Sequence, residues 1–192
     1  MPRVYHVKKA RKDYPTFGIK RGDSYFWWKF PYRPRTMSKK SPSRSQLTQS
    51  AFYQAMYDAE DALEVAINNF REDHEVEMLA GACEEAASTV EEQRDECEEK
   101  RDNMPEQLQD SGSGEILQNR YEECDTIANS LNEAASSIRT IEIPSSKDDD
   151  GIDWDGEEFK DEDEKQSKFE EKVESLVEEA TGYAEDIDWS YS

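Results

Sequence analysis

The segment Ser24-Tyr25-Phe26-Trp27-Trp28-Lys29-Phe30 sets five aromatic residues among seven. On a strand, alternation puts Tyr25, Trp27 and Lys29 on one face and Phe26, Trp28 and Phe30 on the other. Lys8, Lys9, Lys20, Arg21, Arg33 and Arg35 surround it. A nucleic-acid platform needs rings that stack on bases and cations that neutralise phosphates. The expected site is therefore Tyr25, Trp27 and Trp28 for stacking, with Lys20, Arg21, Lys29, Arg33 and Arg35 on phosphates. One aromatic face must still be buried, because so small a sheet has little else to make a core from. Trp, Tyr and Arg also dominate protein interfaces, so a protein contact competes for the same surface.

The charge distribution favours the polyanion. Of the 24 Lys and Arg, 13 fall in residues 1–45 beside two acids, Asp13 and Asp23, a net +11. The remaining 147 residues hold the other 11 basic and 44 acidic side chains, a net −33, so the total of −22 describes neither half. A cationic head attracts polyanions, whereas the anionic remainder repels nucleic acid and anionic membrane within about 10 Å, the Debye length.

Catalysis has little foothold. The histidines are His6 and His74, no Gly-rich phosphate loop or nucleophile elbow occurs, and carboxylates on solvated helices have no cleft to raise their pKa. The chain reads as a non-enzyme without cofactor. Cys83, Cys97, Cys124 and His74 lack the close-spaced pair of a zinc site. Asp148 to Glu162 imitates a calcium loop around Gly156, but Gly151 takes the first ligand position and Glu158 the apolar eighth, so no structured metal site is expected. Three unclustered cysteines argue against a disulfide framework and for a reducing, cytoplasmic setting. Lys8, Lys9, Arg11 and Lys12 interrupt any N-terminal apolar run, and no stretch approaches the ~18 apolar residues of a membrane span. No membrane partner is expected.

The elements that must position these residues follow from patterning. In residues 1–45, Arg3 to Ala10, Ser24 to Phe30 and Arg35 to Lys39 read as three short strands, with Ile19 to Asp23 and Pro31 to Pro34 as turns. A hydrophobic fraction of 34% against 36% charged is lean, which suits helices that bury narrow seams. Residues 46–143 read as a helical hairpin body. Phe52, Met56, Ala59, Leu63, Ala66 and Phe70 form one stripe, Leu79, Cys83, Ala86, Val90 and Cys97 a second, and Leu117, Tyr121, Cys124, Ala128, Leu131, Ala135 and Ile138 a third. Whether 46–104 is one rod or two stays open, with Gly81 favouring a break between Asp73 and Gly81. The reversal lies between Met104-Pro105 and Gly114. Residues 144–164 are an acidic connector, with eleven acids from Asp148 to Glu164. Residues 165–192 hold a last amphipathic helix, striped by Phe169, Val173, Leu176, Ala180, Tyr183 and Ile187, that docks on the hairpin or on another copy. The expected fold class is mainly α, α+β overall: a small N-terminal antiparallel sheet, then a long antiparallel helical bundle of coiled-coil type.

A short repeat adds a candidate docking motif for a protein partner. Ile152-Asp153-Trp154 and Ile187-Asp188-Trp189 recur among acids, as in peptides that insert an apolar residue into a pocket rimmed by Lys and Arg.

The opening, Val4 to Pro15, then Gly18 to Phe30 and Arg44-Ser45-Gln46-Leu47-Thr48, resembles the start of a group of uncharacterised tailed-bacteriophage proteins over about the first quarter of the chain. The strand plan is similar, more weakly, to the arm-type DNA-binding modules of phage integrases, which implies nucleic-acid binding; no integrase catalytic residues follow. The resemblance implies a phage protein in the host cytosol. The expected function is a non-catalytic binding protein whose head contacts nucleic acid or a nucleic-acid-bound machine, and whose acidic body docks proteins or a second copy. Two alternatives stand beside it. One is an anti-defence inhibitor of a host defence or DNA-handling enzyme acting through a DNA-mimicking acidic surface; the other is a self-associating virion or scaffold component.

Overall fold

The computed structural model describes residues 1–146 and 162–191, and the chain is mainly helical with a small N-terminal sheet, the expected class. Its strands are β1 (Tyr5–Val7), β2 (Tyr25–Trp28) and β3 (Thr36–Ser38). The helices are α1 (Ala51–Asp73), α2 (Val76–Asp102), α3 (Glu106–Gln109), α4 (Gly112–Ile138) and α5 (Glu162–Glu185). Two compact units divide the chain, Met1–Asp58 and Ala59–Ser192, so the first includes the opening turns of α1, which a boundary at residue 45 leaves out.

In the first unit β2 is central and pairs antiparallel with both neighbours, in the order β1-β2-β3. Tyr5 lies opposite Trp27 and Val7 opposite Tyr25, while Trp27 faces Met37 across the other edge. The connection from β1 folds over one end of this face. Ala10, Ile19 and Tyr25 make its core, flanked by Val7, Tyr14, Trp27 and Met37. A turn at Lys20–Asp23, closed by the Asp23 N–H donating to the Lys20 carbonyl at 3.0 Å, returns the chain to β2. Its third residue, Gly22, sits at φ 99°, which any side chain would strain.

In the second unit α2 and α4 pair along the expected seam. Leu79, Cys83, Ala86, Val90 and Cys97 of α2 are buried, as are Cys124, Ala128, Leu131, Ala135 and Ile138 of α4. Burying a large apolar side chain contributes roughly 1.5–3 kcal/mol, so this stripe outweighs the modest intrinsic propensity of such Glu-rich helices. Arg139, just past α4, donates to Glu77 at 2.9 Å and to Glu84 at 2.5 Å, tying the start of α2 to the end of α4. Burial pushes the Cys83 thiol up to about 11 and that of Cys124 up to about 12, so both stay protonated at neutral pH and act as small apolar fillers.

Several helical details differ from expectation. The break between the first two helices falls at His74, within the expected interval from Asp73 to Gly81, although Gly81 itself lies inside α2. His74 takes the left-handed conformation at φ 59°, its N–H donating to the Phe70 carbonyl at 2.8 Å. The Asp73 carboxylate accepts the next N–H, that of Glu75, at 3.0 Å. A capping carboxylate and a left-handed residue thus end the helix more effectively than one glycine within it. In α1 the buried position is Ile67, and Ala66 is only half-buried, because the larger side chain gains more from enclosure. α5 packs against α4; Ala180 and Ile187 of the expected stripe are buried, whereas Val177 and Ala184 are enclosed in place of Leu176 and Tyr183, and Tyr183 is exposed. No helix among the described residues is long and apolar enough to cross a membrane.

Candidate nucleic-acid interface

Strand register decides what the head can present. Because Tyr5 and Trp27 are cross-strand partners on one face, their rings stack at 4.3 Å between centroids and 10° between planes. Arg35, two residues before Met37 and so on the same face, lays its guanidinium 4.0 Å from the Trp27 ring. Arg3, two residues before Tyr5, lies 5.2 Å from the Tyr5 ring. A row of cation, ring, ring and cation thus runs across the sheet. The loop from β1 covers the other end of this face, so the row marks its open end.

Beside the row stands the β2–β3 turn. The Arg33 N–H donates to the Phe30 carbonyl at 3.2 Å, with Pro31 and Tyr32 between them. Pro31 presets the first corner of such a turn, and the second demands positive φ. Tyr32 supplies it at φ 59° and is fully exposed. A tyrosine held left-handed costs about 1 kcal/mol relative to ordinary backbone. The structure therefore projects a ring into solvent where glycine would sit more easily, between exposed Lys29, Arg33 and Arg35.

The expected residues separate accordingly. Lys29, Arg33 and Arg35 cluster at this end of β2, exposed. Lys20 and Arg21 lie at the opposite end, about 13 Å away by the length of a four-residue strand. Among the described residues, no carboxylate makes an ion pair with any of these five, whereas Lys39 pairs with Asp23 at 2.8 Å. The stacking assignments need correction. Tyr25 is 6% exposed and Trp28 3%, so both rings belong to the interior, as a sheet this small requires. Trp27 is half-buried and already engaged by Tyr5 and Arg35, which makes it a support for the Arg35 guanidinium and not a platform for a base. Sequence reasoning missed Tyr32, Tyr5 and Arg3. Tyr5 and Arg3 share the parity of a strand, but only register brings them to Trp27.

The repeated docking motif divides too. Ile187 is 8% exposed and belongs to the core of its own unit, so it has no apolar side chain to offer a partner. Asp188 accepts the Ser190 N–H at 3.1 Å, and Trp189 is half-buried. Ile152, Asp153 and Trp154 lie outside the described residues.

Asp23 fixes the turn that carries Lys20 and Arg21. Its carboxylate accepts from the Lys39 ammonium at 2.8 Å and from the Lys20 N–H at 2.9 Å. Those bonds, the Lys39 one foremost, hold its pKa below the ordinary 3.8. A depressed carboxyl pKa stabilises the fold above the unfolded value, and that contribution is lost as pH falls through the lower folded one. An NMR titration is expected to give Asp23 a midpoint below 3.8; a midpoint at or above that value would mean that the pair does not form in solution.

No protein-family model, curated protein or solved structure matches this chain.

Proposed function

We propose that the protein is a non-catalytic, intracellular nucleic-acid-binding protein whose first unit grips the sugar–phosphate backbone and whose acidic helices contact proteins. The observation that carries this reading is the open end of the sheet: exposed Lys29, Arg33 and Arg35 beside a fully exposed Tyr32, with no carboxylate paired to those cations among the described residues. An exposed cation costs nothing to desolvate until it meets a phosphate, and releasing that phosphate's counterions drives association. An aromatic ring beside it adds stacking that tolerates any base, since every base has a π face. The Lys20 and Arg21 turn supplies a second basic contact at the far end of the strand, so an extended backbone laid along β2 meets cations at both ends. The three cysteines are free and buried, which supports a reducing compartment. Fluorescence anisotropy of the full chain with a labelled 20-nucleotide strand tests the reading. Saturable binding that weakens steeply with salt is the expected result.

A second reading is favoured by the exposed carboxylates of α2, where Glu85, Glu92, Glu98 and Glu99 project from a regular helix. Acids held on a rigid scaffold are what imitation of duplex charge requires. On that reading the protein inhibits a host defence or DNA-handling enzyme through its helical unit, and head variants that lose strand binding still inhibit.

A further inference from the structure

On the other side of the β2–β3 turn lies an open groove of about 610 Å³, wholly within the first unit. Phe30, Pro31, Leu47, Tyr53 and Tyr57 line it together with Lys29. Tyr53 and Tyr57, one helical turn apart on α1, hold their rings 25° from parallel at 6.2 Å, a continuous aromatic wall. Arg44 lies 4.9 Å from the Tyr57 ring. We propose that this groove holds one unpaired base of a single-stranded nucleic acid. The proposal rests on the nucleic-acid reading and deepens it by naming the form of nucleic acid that is bound.

Three observations point to a base and not to a peptide side chain or a helix. The volume falls in the range of small-molecule sites and is too small for a helix of about 10 Å diameter. Three of the lining side chains are aromatic, and a flat π system gains most from such walls. Lys29 is the charged side chain that lines the groove, and no carboxylate lines it among the described residues. An anionic ligand is therefore the complementary one. Position agrees with chemistry. Pro31 belongs both to the groove and to the turn that displays Tyr32, so a strand whose phosphate meets Arg33 passes the groove mouth. A base already paired in a duplex cannot turn into the groove without losing its partner and its stacking, so a single strand is preferred.

The full chain is titrated with three labelled probes: a 20-nucleotide thymidine strand, a 20-unit abasic strand of equal charge, and a 20-base-pair duplex. The thymidine strand is expected to bind more tightly than the abasic strand by the worth of two stacked bases, about ten times for the one in the groove and a similar factor for the one on Tyr32. Tyr53→Leu, which keeps the apolar volume but removes the ring, is expected to erase the groove's tenfold share of that preference while leaving abasic binding unchanged. A strand with 5-bromouridine, irradiated on the unsubstituted protein, should crosslink within residues 45–57, a readout that needs no variant to fold. If thymidine and abasic strands bind equally but with steep salt dependence, the groove is not a base site and the backbone reading survives. A full base preference retained by Tyr53→Leu, or crosslinks confined to Tyr32, likewise overturns the groove. If no probe binds, both readings fall.

Discussion

Tyr32→Gly combined with Arg33→Ala is expected to weaken binding of the full chain to a single-stranded 20-mer by 10- to 100-fold, with the fold intact. The stacking of one base contributes roughly 1–3 kcal/mol, and one phosphate contact adds its share of counterion release. The substitutions are chosen so that stability and function part company. Tyr32 occupies left-handed backbone at φ 59°, and glycine relieves that strain while giving up unfolded-state restriction, so the two changes nearly cancel. Arg33 is exposed, and its backbone bond to Phe30 survives the loss of the side chain. Thermal unfolding should therefore move by no more than a few degrees. Unchanged affinity in a protein of unchanged stability would remove the open end of the sheet from the account. A tyrosine kept where glycine fits better is the kind of local cost that functional sites carry.

Gly114→Ala is expected to destabilise the helical unit by about 2–4 kcal/mol and to lower its melting temperature by roughly 10 °C. A β-carbon there would lie 1.9 Å from the Gln109 carbonyl oxygen and 2.6 Å from its carbon. Those atoms are backbone and cannot step aside, so α3 must swing away or the first turn of α4 must unwind. Gly112→Ala is the control, since a β-carbon there meets nothing within 4 Å and alanine favours the helix. If the two variants melt together, the close approach of Gly114 to the Gln109 carbonyl does not hold in solution.

These results also bear on what could be read from the residues alone. The turn Lys20-Arg21-Gly22-Asp23 was legible because its glycine and aspartate have mechanisms of their own, positive φ at one and acceptance of the Lys20 N–H at the other. The α2 and α4 seams were legible because a strong apolar period leaves few alternatives. α5 was less so: its apolar residues form a stripe wide enough that a shift of one position satisfies the same pattern, and small residues such as Ala180 and Ala184 decide the closest approach. The candidate site was legible only in kind. Composition identified rings and cations, but the division into buried Tyr25 and Trp28, supporting Trp27 and displayed Tyr32 depends on register and on which face the β1–β2 loop covers. Alternation marks two faces without saying which is closed. Gly114 posed the same difficulty, since its need for a bare α-carbon comes from a carbonyl five residues earlier that only the folded turn brings near.

Exposed cations at the open end of the sheet are proposed to bind a polyphosphate chain. The most direct test is the affinity of the full chain for a single-stranded 20-mer between 50 and 200 mM salt. With Lys20, Arg21, Lys29, Arg33 and Arg35 each neutralising one phosphate of a single strand, log K should fall against log salt with a slope of about −3.5. No binding at 50 mM, or an affinity indifferent to salt, would contradict the proposal.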